Sequence, residues 1–387
     1  MLQFFILLFV GLYSEAATKA DPECYMNPSQ LGEKYGYTME EHWPVTDDGY
    51  ILLINHIVPK SKTAPAVFLQ HGLLDSSATW LLNGKEGSFA FILADAGFDV
   101  WMGNIRGNTY TMNHTTIPVD SDAFWAFTFD EMIAIDLPNM IDYVLKKTGQ
   151  DSLFYFGHSQ GSLIGFTGFS SIPDLAKKIR LFTALAPVAR VDHVKGLFDY
   201  LSRYQSSLEW IFKEFGLRQF LPSNWVIRTF ATLICPNVEL KAVCSNLIFL
   251  MAGYDTSNFN SSRVAIYESH VPAGTSTRNA IHWSQMINAQ KVQKYDFESV
   301  TKNMLHYGSP EPPLYDISGL SVPTVLVMGG NDWLGDPRDE LWLIEQIGHT
   351  VLEYFTIDYY NHLDFLWGED APKMVYYPMI EIMKKML

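Results

Sequence analysis

Cysteine is scarce in this chain: three residues in 387 exclude a disulfide scaffold. Basic charge is short as well. Lys and Arg number 27 against 42 Asp and Glu, giving a net charge of −15. A surface of that sign repels phosphate backbones and anionic membranes, so nucleic acid is excluded as a partner. Beyond the N-terminus no apolar run approaches the roughly 20 residues a membrane span needs, so no transmembrane segment is expected. There is no internal repeat and no low-complexity stretch. No H-x-x-x-H or paired Cys/His spacing points to zinc, and no metal and no cofactor are expected. What the chain has in quantity is apolar mass, 48% of residues, enough to bury a large core.

The first apolar run, Met1 to Tyr13, is too short to span a bilayer and is followed by Ser14, Ala16 and Ala17. That pattern predicts a secretory signal peptide over 1–20, cut between Ala16 and Ala20, and a soluble mature protein, secreted or lysosomal. In an oxidising compartment Cys235 and Cys244, nine apart, are close enough to staple a short loop. Cys24 is then left as a free, buried thiol. Asn113-His-Thr and Asn260-Ser-Ser are acceptor sequons for glycosylation, whereas Asn27-Pro-Ser is blocked by its proline. The sequence pI near 5.1 fits an acidic working compartment.

Short apolar runs ending in glycine alternate with amphipathic segments, the punctuation of an α/β protein. Strands are expected at Ile51–Val58, Ala66–Gln70, Phe98–Met102, Leu153–Phe156, Leu181–Leu185, Thr324–Met328 and Thr350–Ile357, with a helix over Glu131–Lys147. Several of these runs are continuously apolar, as strands of a mostly parallel sheet covered on both faces must be. Between about Val191 and Pro310 the pattern turns helical and aromatic, with Phe198, Tyr204, Trp210 and Phe220 among many. The expected organisation is a sheet core over 21–190 and 311–387, interrupted by a helical cap over 191–310. Within the cap, 217–254 carries many apolar side chains and few charges, including Trp225 and Phe230, and reads as a flap over the catalytic edge.

The sharpest motif is Gly157-His-Ser-Gln-Gly, set between a strand and a small-residue helix start. A Gly-x-Ser-x-Gly turn in that context is strained and lifts its serine to the C-terminal edge of the sheet, which makes Ser159 the candidate nucleophile. A serine hydroxyl needs a base within hydrogen-bond reach and a carboxylate to orient that base. In this topology the acid and the base follow on loops after the last strands. Thr324–Met328 runs into Asp332 and Asp336, and Thr350–Ile357 runs into His362. Asp332 is preferred as the acid, because Asp336 precedes Pro337 and reads as a helix N-cap. His362 is the base. The oxyanion donors are expected to be the backbone N–H groups of Gln160, directly after the nucleophile, and of Leu73, after the tight turn His71-Gly72. His71 itself reads as a residue that fixes this loop, and His158 as one packed beside the nucleophile.

Taken in order, these segments resemble the acid lipase family, the gastric and lysosomal acid lipases and their relatives. The resemblance runs from about Asn27 to the C-terminus. It is carried by Glu41-His-Trp-Pro-Val-Thr-Asp-Asp-Gly-Tyr, His71-Gly-Leu-Leu-Asp-Ser-Ser, Trp101-Met-Gly-Asn-Ile-Arg-Gly-Asn, Phe124-Trp-Ala-Phe, Gly157-His-Ser-Gln-Gly, Pro272-Ala-Gly-Thr-Ser, Asp332-Trp-Leu-Gly-Asp-Pro and Asn361-His-Leu-Asp-Phe. It implies an α/β-hydrolase core with a cap and movable lid, acting without a metal on triacylglycerols or cholesteryl esters at a lipid–water interface. It places the triad on Ser159, Asp332 and His362, the oxyanion donors on Leu73 and Gln160, and a cap disulfide on Cys235 and Cys244. The chain departs from the family pattern at Cys24 and at Gly335, where relatives often carry alanine. An acyltransferase with the same triad, or a lipid-binding protein on a lipase scaffold, are the competing readings.

Overall fold

The computed structural model describes residues 21–223, 251–253 and 258–387. The expected signal peptide, the pair Cys235 and Cys244, and the flap apart from 217–223 and 251–253 lie outside the described residues.

Ten strands occur among the described residues: β1 (Met39–His42), β2 (Leu53–Ile57), β3 (Ala66–Gln70), β4 (Asp99–Asn104), β5 (Leu153–His158), β6 (Ile179–Leu185), β7 (Gln219–Phe220), β8 (Thr275–Ser276), β9 (Thr324–Gly329) and β10 (Val351–Ile357). Eight form one sheet in the order β1-β2-β4-β3-β5-β6-β9-β10, while β7 and β8 make a separate two-stranded ribbon. From β4 to β10 every pairing in the large sheet is parallel. Only the β1-β2 and β2-β4 pairings are antiparallel. The expected mostly parallel sheet is therefore present.

Side-chain alternation explains why the central strands read as unbroken apolar runs. Phe154 and Phe156 of β5 enter one core, and Leu153 and Tyr155 enter the core on the opposite face. Val325 and Val327 of β9 divide from Leu326 and Met328 in the same way. A strand buried on both faces has no polar face to display. The helices that cover these cores include α1 (Leu137–Thr148) and α2 (Gln160–Ser171). The helix expected over 131–147 is present and continuous, with one wide turn at Met132–Asp136 leading into α1, which opens with Pro138 near its first position.

Between β6 and β9 the described residues carry α3 (Gly196–Ser202), α4 (Gln205–Glu214), α5 (Val264–His270), α6 (Thr277–Ala289) and α7 (Val300–Tyr307). Beyond them, α8 (Pro337–Ile347) follows β9. Arg106 of the Trp101 motif is buried. Its guanidinium donates to Asp136 at 2.8 Å and to Asp48 at 2.7 Å, and lies 4.0 Å above the Tyr50 ring. One cation thus locks the Asp48-Gly-Tyr turn to the loop after β4. Removing one partner of such a buried pair leaves the other charge uncompensated, typically at a cost of about 3 to 5 kcal/mol.

Candidate active site

Strand β5 ends at His158, and Ser159 turns the chain into α2 with φ 53° and ψ −120°. That conformation is strained for any residue with a Cβ, and it persists because the neighbours leave no alternative. A Cβ on Gly157 would meet the Gly161 carbonyl oxygen at 2.4 Å, and a Cβ on Gly161 would meet that of Gln70 at 2.4 Å. Both glycines are needed for the helix to pass this close to β3 and β5. Ser159 is held from below by its N–H donating to the Leu185 carbonyl, 3.2 Å.

The two residues expected to act with it come from the ends of β9 and β10. Asp332, 1% exposed, receives the His362 Nδ1–H at 2.8 Å on Oδ2 and 3.0 Å on Oδ1. The same carboxylate accepts the backbone N–H groups of Leu334 and Gly335, each at 2.8 Å, which fixes its rotamer. His362 is tied to the strand of the expected nucleophile through its backbone. Its carbonyl accepts from His158 Nε2 at 2.8 Å, and the two imidazoles lie 5.0 Å apart. Burial, with His362 nearby, pushes the His158 imidazole down to about 3. It is therefore neutral and serves as a hydrogen-bond post between the two loops.

Asp336 lies elsewhere. It caps α8 by accepting the Arg338 N–H at 3.0 Å and pairs with Lys195 at 2.6 Å. Burial works to raise its carboxyl, but the contacts with Arg338 and Lys195 prevail and hold it well below the usual carboxylate range. A Cβ added at Gly335 would come within 2.9 Å of the Pro187 oxygen and 3.2 Å of Asp332 Oδ2, so this departure from alanine relieves crowding behind the His362 partner.

The loop after β3 reaches the same place. A Cβ on Gly72 would stand 3.0 Å from Ser159 Cβ, so Leu73 follows directly against the serine turn. His71 donates from Nδ1 to the Gly72 oxygen at 2.8 Å and accepts the Ile105 N–H on Nε2 at 3.3 Å. Burial pushes its imidazole down to about 4, which leaves it neutral and in the loop-fixing position. Gln160 begins α2, where the first backbone N–H groups have no partner within the helix. Its side chain is clamped from α6: Oε1 accepts from Trp283 Nε1 at 2.7 Å and from Asn279 Nδ2 at 3.1 Å. These two α6 residues are the part of the arrangement that motif reading misses. Their spacing of four puts both on one helical face, which was the signal available. An apolar cleft borders Leu73 and is lined by Phe198, Leu201, Phe212, Phe220 and Trp283.

Asp75, in the same loop, gives this site a pH dependence of stability. Burial pushes its carboxyl up to about 7 from an ordinary 3.8, against the Ser76 N–H that bonds it. Between those values the folded chain holds a proton that the unfolded chain has released, so folding is favoured at acidic pH. The contribution disappears as pH rises through 7 and amounts to roughly 2 to 3 kcal/mol between pH 5 and pH 8. Asp75→Asn is expected to flatten this slope, measured as urea unfolding at the two pH values. The same slope in variant and wild type would contradict it.

Of the remaining expectations, Cys24 is a free, buried cysteine whose thiol is pushed up to about 11, mainly by burial. Asn113 is exposed on its loop, whereas the Asn260 amide donates to Asn83 at 3.2 Å.

A strained serine turn at the C-terminal edge of this sheet, with an Asp–His pair delivered by the loops after β9 and β10, defines an α/β hydrolase. Residues 65–213 match the family model for the alpha/beta hydrolase fold, and residues 28–84 match that for a partial alpha/beta-hydrolase lipase region. The chain is 46% identical over 389 residues to the lysosomal acid lipase/cholesteryl ester hydrolase of Macaca fascicularis, covering 98% of this chain and 97% of the relative. It is 45% identical over 371 residues to the human gastric triacylglycerol lipase, covering 94% and 92%. A soluble variant of the monoglyceride lipase of Saccharomyces cerevisiae superposes with a TM-score of 0.53 at 14% identity, over 91% of this chain and 98% of that one, and so shares the fold. The chain belongs to the acid lipase family.

Proposed function

We propose that this protein hydrolyses carboxylic esters of neutral lipids, triacylglycerols or cholesteryl esters, through an acyl-enzyme on Ser159. The observation that carries the reading is the Asp332–His362 pair at 2.8 Å, brought by the loops after β9 and β10 to the turn that holds Ser159. An Nδ1–H committed to Asp332 leaves the Nε2 of His362 as the basic nitrogen. In the proposed reaction Ser159 Oγ attacks the ester carbonyl while Nε2 takes its proton, and the imidazolium is stabilised by Asp332. The tetrahedral oxyanion is received by the N–H groups of Leu73 and Gln160. Nε2 then returns the proton to the departing alcohol, and water reverses the sequence to free the acid.

Substrate class follows from the relatives, whose names specify triacylglycerol and cholesteryl ester, and from the apolar cleft beside Leu73, which suits an acyl chain. The family's lysosomal and gastric members place the chain in the secretory pathway. Among the described residues no helix is long and apolar enough to cross a membrane. The helices between β6 and β9 serve in this reading as the cap over 191–310. Fatty-acid release from emulsified triacylglycerol and from cholesteryl ester, each followed from pH 4 to pH 8, tests the assignment. Release from at least one of them is expected to exceed that from a soluble short-chain ester at equal ester concentration. Activity confined to the soluble ester would overturn the lipid assignment and leave only the esterase.

A further inference from the structure

At the far edge of the sheet, four positions from β5 in the strand order, the antiparallel β1-β2 pairing assembles a second cluster of chemistry-bearing side chains. Glu40 and His42 are two apart on β1 and so share a face. In the β1-β2 register Glu40 stands directly opposite His56. All three side chains therefore converge on one side of the ribbon.

The donor atoms form a nearly equilateral triangle. Glu40 Oε2 lies 3.4 Å from His42 Nε2 and 3.5 Å from His56 Nδ1, and the two nitrogens are 3.4 Å apart. Tetrahedral zinc holds nitrogen and oxygen ligands at about 2.0 to 2.1 Å, which requires ligand atoms about 3.3 to 3.4 Å from one another. A nitrogen-to-nitrogen separation of 3.4 Å is, by contrast, long for a direct hydrogen bond.

The outer contacts are those of a metal site. His56 donates its other ring nitrogen, Nε2, to Asp99 at 2.6 Å, which turns the Nδ1 lone pair toward the triangle. His42 engages the Tyr143 hydroxyl of α1 through Nδ1 at 3.2 Å, leaving Nε2 to face inward. His56 is stacked on Trp101 at 3.8 Å and 9°, so its ring plane is fixed. A carboxylate behind a ligating imidazole sets its tautomer and raises its basicity. Two carboxylates, Glu40 and Asp99, balance the charge of a divalent ion. His56 and Asp99 are buried while Glu40 is exposed, so the triangle opens toward solvent on one side.

We propose that Glu40, His42 and His56 form a divalent metal site of the zinc class, with three protein ligands and a fourth position open to water, joining the edge strand β1 to β2. It is separate from the ester-hydrolysing site. Its residues are 16 apart at the ends, a spacing that strand pairing brings together and that no helical or loop motif announces.

The test uses the whole protein, freed of metal with a chelator and titrated with ZnCl₂ by calorimetry, with Co²⁺ as a spectroscopic probe of coordination number. One ion per chain is expected to bind with Kd of about 1 μM or tighter, and Co²⁺ to give the intense visible absorption of four-coordination. Glu40→Gln and His42→Gln should each weaken zinc by at least about 100-fold, and Asp99→Asn, behind the ligand, by about 10- to 100-fold. Glu40 is exposed, so its variant keeps the test decisive if a histidine variant fails to fold. No zinc bound at about 1 mM, or affinity within about threefold of wild type in Glu40→Gln, overturns the proposal.

Discussion

Ser159→Ala is expected to lower kcat on a soluble ester by at least about 10³-fold, and as much as about 10⁶-fold, while the chain still folds. The two halves of that expectation have separate causes. The hydroxyl is the only atom lost, and the Cβ that fills the space against Gly72 remains. Alanine accepts the φ of 53° as well as serine does, because both carry the same Cβ. What disappears is the atom proposed to form the covalent intermediate, and binding plus the proposed oxyanion donors alone would recover only a small part of the rate. Circular dichroism and thermal unfolding should match wild type. Activity within about tenfold of wild type would remove Ser159 from the chemistry.

Asp332→Asn is expected to cost about 10⁴-fold in kcat, and Asp336→Asn less than about tenfold. An asparagine at 332 can keep an oxygen toward the N–H groups of Leu334 and Gly335, each at 2.8 Å from the native carboxylate, and so preserve the loop. Its amide NH₂ then faces His362 Nδ1, which must become the acceptor. The proton moves to Nε2, the nitrogen proposed to take the serine proton, so the proposed base would be blocked. Asp336→Asn instead keeps a competent N-cap and loses only the charge of the contacts with Lys195 and Arg338, which lowers stability by about 1 kcal/mol or less. The reverse ranking in kcat would make Asp336 the orienting acid.

Most of this arrangement is legible in sequence where a local rule and the fold agree. The Gly157-His-Ser-Gln-Gly turn is legible because steric crowding admits glycine at both ends. Asp336 could be set aside because a residue before proline at a helix start has a known duty, and it indeed caps α8. Strand β1 was not legible: Met39-Glu-Glu-His carries no apolar alternation, since it lies at the sheet edge with two of its residues exposed. The wide turn at Met132–Asp136 was hidden for a different reason. Its apolar spacing is helical on either side, and the extra residue is a matter of backbone geometry that periodicity does not register. The clamps on Gln160 from Asn279 and Trp283, and the Glu40, His42 and His56 cluster, depend on contacts between elements distant in sequence. Apart from the four-residue spacing of Asn279 and Trp283 on one helix, no single segment carries their signature.

In the proposed reaction ester cleavage passes through an acyl group on Ser159. The most direct measurement mixes the enzyme with a chromogenic acyl ester, quenches in acid during the first turnover, and maps the acylated peptide by mass spectrometry. A burst of about one equivalent of released alcohol per chain is expected, matched by an acyl mass on the peptide holding Ser159 and absent from Ser159→Ala. A burst whose acyl group resides on another residue, or one that survives unchanged in Ser159→Ala, would rule out Ser159 as the nucleophile.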